Sequence, residues 1–183
     1  VTWEDIFSTD KNWTGFENNI VSAIKNRRAK DESAFAKLIA DEYDITIKNN
    51  AQDLLLGNKV FVTNKSILEN ALRNAFKLAK LSQSASEAQN IMMLFINTGV
   101  VGYWLGGKLG LTNPPPGAVS VVSNIITFPG VPPDVKISNV SKPEEFAKEL
   151  TNRFKAHVLT ISVVTTGISI NGVPIVVPIN GIN

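Results

Sequence analysis

Apolar side chains recur at helical spacing in five stretches of the chain and in alternation near its end. From a cap at Asn12 or Thr14, Phe16, Ile20, Ala23 and Ile24 mark a first helix that closes near Asn26-Arg27-Arg28. Asp31 caps a second, with Phe35, Leu38, Ile39 and Tyr43 on one face and Lys37, Asp41 and Glu42 on the other. It is expected to fade in Asp44-Ile45-Thr46-Ile47-Lys48, whose β-branched residues weaken a helix. After the break at Gly57-Asn58, Val60-Phe61-Val62 reads as a short extended piece. A third helix opens at Thr63 or Asn64 and carries the stripe Ile67, Leu68, Ala71, Leu72, Ala75, Phe76 and Ala79. A fourth starts at the capping box Ser84-x-x-Glu87, runs through Ile91, Leu94, Phe95, Thr98, Val101 and Leu105, and is apolar on nearly every side. Asn113-Pro114-Pro115-Pro116-Gly117 stops it. A fifth helix is signalled by Ser141-x-x-Glu144 with Pro143 in its first turn, and by Phe146, Leu150, Phe154 and Val158.

The last stretch differs in kind. Asn171-Gly172 lies between Ile168-Ser169-Ile170 and Val173-Pro174-Ile175-Val176-Val177-Pro178, which is the signature of a tight β-hairpin. The two prolines cannot donate to a ladder and place that strand at an edge. The expected fold is therefore α+β: a mainly helical body over residues 1–158, with a Pro/Gly-rich crossover loop over 111–140, and a C-terminal β-hairpin arm over 159–183. A lone hairpin is marginal in water, so this arm needs a surface or another chain's strands to dock on.

Charge sharpens that picture. The 183 residues hold 18 Lys+Arg and 16 Asp+Glu, a formal charge of +2, too near neutral for nucleic-acid affinity driven by counterion release. Residues 1–87 carry 24 of these charges, residues 88–133 only Lys108, and residues 156–183 none. A solvated surface interleaves both signs, so two long uncharged tracts imply cover, and a chain of this size can hide only part of them in its own core. Large apolar surfaces usually mark contacts with protein or membrane.

Chemistry is mostly excluded. With no Cys and the single histidine His157, thiolate nucleophiles, Cys-based metal centres and sites needing two imidazoles are ruled out. No cofactor or metal is expected. Gly102-x-x-x-x-Gly107-Lys108 begins like a phosphate-binding loop, but Leu109 stands where Ser or Thr must hold magnesium, and a helix rather than a strand precedes it. His157 lacks a partner arrangement recognisable by spacing and reads as structural. Asp41, Glu42 and Asp44 read as a solvated helix face beside Lys37 and Lys48. Lys25, Arg27, Arg28 and Lys30 form a basic cluster without interleaved aromatics, weak as a nucleic-acid signal. The apolar stretch 91–111, uncharged from Ile91 to Gly107 and containing Gly102-x-x-x-Gly106, makes a membrane-associated helix the rival reading, against which stand its shortness and its sparse flanking charge. The N-terminal residues do not form a secretory signal, so synthesis in a cytoplasm is expected.

The segment Phe95-Ile-Asn-Thr-Gly-Val-Val-Gly-Tyr103-Trp104-Leu-Gly-Gly107, then Asn113-Pro-Pro-Pro-Gly117 and Ser123-Asn124-Ile-Ile-Thr-Phe-Pro129-Gly130, resembles small virion structural proteins of tailed bacteriophages. The resemblance covers about a third of the chain and leaves the first 87 residues unmatched. It implies a non-enzymatic neck, head-to-tail connector or tail subunit, assembled in host cytoplasm and resident in the virion. The expected partners are copies of the same chain in a homo-oligomeric ring and other virion structural proteins, with nucleic acid at most passing through the ring and no membrane. The residues expected at subunit contacts are Tyr103, Trp104, Ile168, Ile170, Val173, Ile175, Val177 and Ile179.

Overall fold

The computed structural model describes the backbone of residues 3–26, 30–51, 59–105, 108–111, 118–127, 142–169 and 174–178, and side chains for 4–26, 30–50, 63–105 and 142–161. Among the described residues, six α-helices run in order: α1 Trp3–Phe7, α2 Thr14–Lys25, α3 Glu32–Ala51, α4 Lys65–Lys80, α5 Ala85–Trp104 and α6 Pro143–Val158, with a 3-10 turn Asp10–Trp13 ahead of α2.

Their ends follow local chemistry. The Asp31 carboxylate accepts the Ala34 amide at 2.7 Å and starts α3. At the head of α5 the Ser84 hydroxyl accepts the Glu87 amide at 3.1 Å, while the Glu87 carboxylate reaches back to the Gln83 amide at 3.0 Å. Pro143 takes the first position of α6, where its missing amide costs nothing, and Lys142 caps it without a side-chain hydrogen bond. Ser141 lies outside the described residues.

One core joins all six helices. Phe7, Trp13, Phe16, Tyr43, Trp104 and Phe154 sit at its centre, fully buried or nearly so. Trp13 meets Phe16 edge-on at 5.9 Å, Phe16 meets Phe154 at 5.6 Å, and Tyr43 meets Phe154 at 4.7 Å. These contacts tie α2, α3 and α6 together. The α4–α5 pair closes the other side through glycine: a Cβ on Gly99 would stand 2.7 Å from Cβ of Ala71, and one on Gly102 would stand 2.4 Å from Cγ2 of Ile67. Two helices approach this closely only where one of them lacks side chains.

The structure corrects the α+β expectation. Of the residues described to the side chain, 85% are helical and none lies in a strand, so the core among the described residues is built from helices and the residues that flank them. Val158 and Ile161 belong to the buried core, and the backbone beyond them joins a longer antiparallel ladder. Its strands are β1 Lys59–Val62, β2 Lys108–Leu111, β3 Ala118–Thr127, β4 Ser162–Ser169 and β5 Pro174–Pro178, in spatial order 1-2-3-4-5. The 111–140 stretch, expected to be an irregular crossover, contains β3, which pairs with β4 through Val121↔Gly167 and Thr127↔Ser162. The Asn171-Gly172 turn lies outside the described residues.

The second helix also differs from expectation. α3 does not fade at Asp44 but continues to Ala51, because Tyr43 and Ile47 are buried on its inner stripe, and burial outweighs the small helix penalty of β-branched residues.

Candidate functional site

The most elaborate polar cluster lies where α3, α5 and the residues before α4 meet. Asp44 is 8% exposed. Its carboxylate accepts the Tyr103 hydroxyl at 2.6 Å and the Thr63 hydroxyl at 2.9 Å, and it pairs with Lys48 Nζ at 2.9 Å. Beside it, Trp104 Nε1 donates to the Tyr43 hydroxyl at 2.8 Å, and the Tyr43 and Tyr103 rings meet edge-on at 4.8 Å. Burial pushes the Asp44 carboxyl up, but hydrogen bonds from Tyr103, Lys48 and Thr63 outweigh it and hold the group below the usual carboxylate range. Burial pushes both tyrosines well above the ordinary phenol value, reinforced for Tyr103 by Tyr43 and Asp44. Both stay protonated; Tyr103 donates to Asp44, and Tyr43 accepts from Trp104. The cluster is a clasp that joins α3 to α5 through Tyr103–Asp44 and Trp104–Tyr43 hydrogen bonds.

This corrects the assignment of Tyr103 and Trp104 to a subunit contact. Both are fully buried within one chain, because Tyr103 and Trp104 find their polar partners on α3. Of the other contact residues, Ile168 lies on β4 opposite Pro174, and Ile175 and Val177 lie on β5 opposite Gly167 and Thr165. Ile170, Val173 and Ile179 lie outside the described residues.

The remaining candidates separate by burial. His157 and Arg153 are both 1% exposed on α6. Burial and the adjacent Arg153 charge lower the His157 pKa to about 4, so the imidazole is neutral at neutral pH. Asp41 keeps its solvated-face character, paired to Lys37 at 2.8 Å and Lys65 at 2.9 Å, and Glu42 accepts from Asn19. Asp44 departs from that reading because the longer α3 places it one turn past Ala40, on the inner stripe. Lys25 is engaged by Glu144, Lys30 lines a groove, and Arg27 and Arg28 lie outside the described residues. The groove, about 840 Å³, runs along the stacked rings of Phe35 and Phe76 and is bridged by the Lys80–Glu32 ion pair at 2.8 Å. Gly102 is used for packing and Lys108 opens β2, so the strand-loop-helix order of a phosphate-binding loop is reversed here.

No described helix is long and apolar enough to cross a membrane, and no group of acidic or imidazole side chains among the described residues has the arrangement of a metal site. No family model matches the chain, and no similar curated protein or solved structure was found.

Proposed function

We propose that the protein is a non-enzymatic structural subunit of a bacteriophage virion, forming a homo-oligomeric ring at the neck or tail and contacting other virion proteins. The observation that supports this reading is the composition of the ladder. β3, β4 and β5 contain no ionisable residue on either face, and the extensive contacts of the described strands are with one another. Three adjacent strands without charge on either face call for cover that the charged strands β1 and β2 do not need, and neighbouring copies supply it without any new partner. The ladder also ends in two different edges, β1 and β5. Continuing the β5 edge of one copy onto the β1 edge of the next repeats one head-to-tail contact, and such a contact closes into a ring when its rotation divides a full turn.

The test is the assembly state of the full chain with Ile175→Asp and Val177→Asp combined. These residues are two apart and share one face of β5. The expected result is loss of the ring with the helical circular-dichroism signal retained. A doubly substituted chain that assembles like the parent overturns the edge contact.

A further inference from the structure

A separate surface lies on the helices. Among the described residues, six large hydrophobic side chains are exposed, and five of them, Ile67, Leu78, Leu81, Leu94 and Leu105, belong to α4, α5 and the residues that cap their C-termini. Their spacing explains why. On α4, the positions Ile67, Ala71, Asn74, Leu78 and Leu81 repeat by four and three; on α5, Ile91, Leu94, Thr98, Val101 and Leu105 repeat by three and four. This is the seam spacing of packed helices. It runs along the side of α5 opposite the buried Ile96, Val100 and Tyr103, while the α4 seam borders α5 at Gly99 and Gly102. The α4 charges Lys65, Glu69, Arg73 and Lys77 fall outside it, and α5 has no charge after Glu87.

We propose that this outward face of the α4–α5 hairpin docks the same face of a second copy, the two hairpins forming a four-helix layer about a two-fold axis. Area is the first argument. With Leu81 77%, Leu94 64% and Leu105 62% exposed, the five side chains alone leave roughly 500 Å² open, most of the ~800 Å² that each partner contributes to a standard interface. The second is charge: apart from Glu87 at the first turn of α5, four residues before Ile91, the face holds no ionised group, so its partner must be almost equally uncharged, and a second copy always is. The third is symmetry: an antiparallel hairpin with seams on both helices complements itself when turned by half a circle. The contact is independent of the strand edges and of the virion reading.

The experiment uses the full chain carrying Ile175→Asp and Val177→Asp, which removes the proposed edge contact. Sedimentation equilibrium is expected to give a dimer, and adding Leu94→Asp to weaken it at least about tenfold with helicity unchanged. Because the chain has no cysteine, Thr98→Cys, midway along the α5 seam, gives a second readout that needs no disruptive charge: oxidation is expected to yield a covalent dimer, whereas Lys77→Cys, on the charged side of α4, is not. A monomer before Leu94→Asp is added, an unchanged dimer after it, or equal cross-linking at both positions overturns the proposal. So does flotation of the otherwise monomeric chain with phosphatidylcholine/phosphatidylglycerol vesicles, which assigns the face to a lipid surface.

Discussion

Among single residues, the two with the most consequence are Tyr103 and His157. Tyr103 donates from α5 to a carboxylate on α3 that burial would otherwise push toward protonation. Tyr103→Phe removes that donor and leaves Asp44 under-satisfied, with an expected loss of about 1–3 kcal/mol in denaturant unfolding. An unchanged midpoint would contradict the clasp. His157 governs acid stability. The unfolded imidazole takes up a proton near pH 6.5, whereas the folded one resists until about pH 4. The unfolded state therefore binds more protons in that window, and stability is full above pH 6.5 and falls as pH drops through it, by roughly 3 kcal/mol in total. His157→Gln is expected to flatten melting temperature against pH over this range; an imidazole that titrates near 6.5 by NMR would contradict the burial. Neither role was legible in the sequence. The partners lie 59 residues away for Tyr103, and a lone histidine at a helix end carries no mark of its depth.

Helices were the legible elements, because a broad apolar stripe and a cap are local signals. α4 carries both seam and core positions in one period, and Ser84 with Glu87 does at α5 what that pairing is suited to do. The lower half of α3 was obscured because Thr46 and Ile47 disfavour a helix locally, while the packing that retains them comes from other segments. Close approach of α4 and α5 was visible only as glycines whose neighbours could not be named. It gives a graded expectation. Gly99→Ala drives a Cβ against Ala71, which cannot swing aside, and should cost about 1–3 kcal/mol. Gly102→Ala meets the Cγ2 methyl of Ile67, which yields only by turning χ1 of a β-branched residue, and the helix propensity gained, about 1 kcal/mol, should offset part of that cost. Thermal unfolding of the two variants checks the order; a greater loss at Gly102 would reverse it.

Over the whole molecule, the charge map carried the information that no motif did. Uncharged tracts at 88–107 and 156–183 implied cover, and α5 shows how the first divides: one side buries Ile96, Val100 and Tyr103 in the core, and the other keeps Leu94 and Leu105 exposed. The sequence could not separate these sides, since both are apolar, and so Tyr103 and Trp104 were assigned outward when they face in. The strand order was equally hidden, because pairing between 59–62 and 108–111 or between 118–127 and 162–169 depends on segments distant in the chain. Sedimentation velocity of the unmodified full chain across a concentration series tests self-association most directly. The expected result is a closed assembly of fixed copy number that persists on dilution. A single monomeric species up to the highest soluble concentration would contradict it.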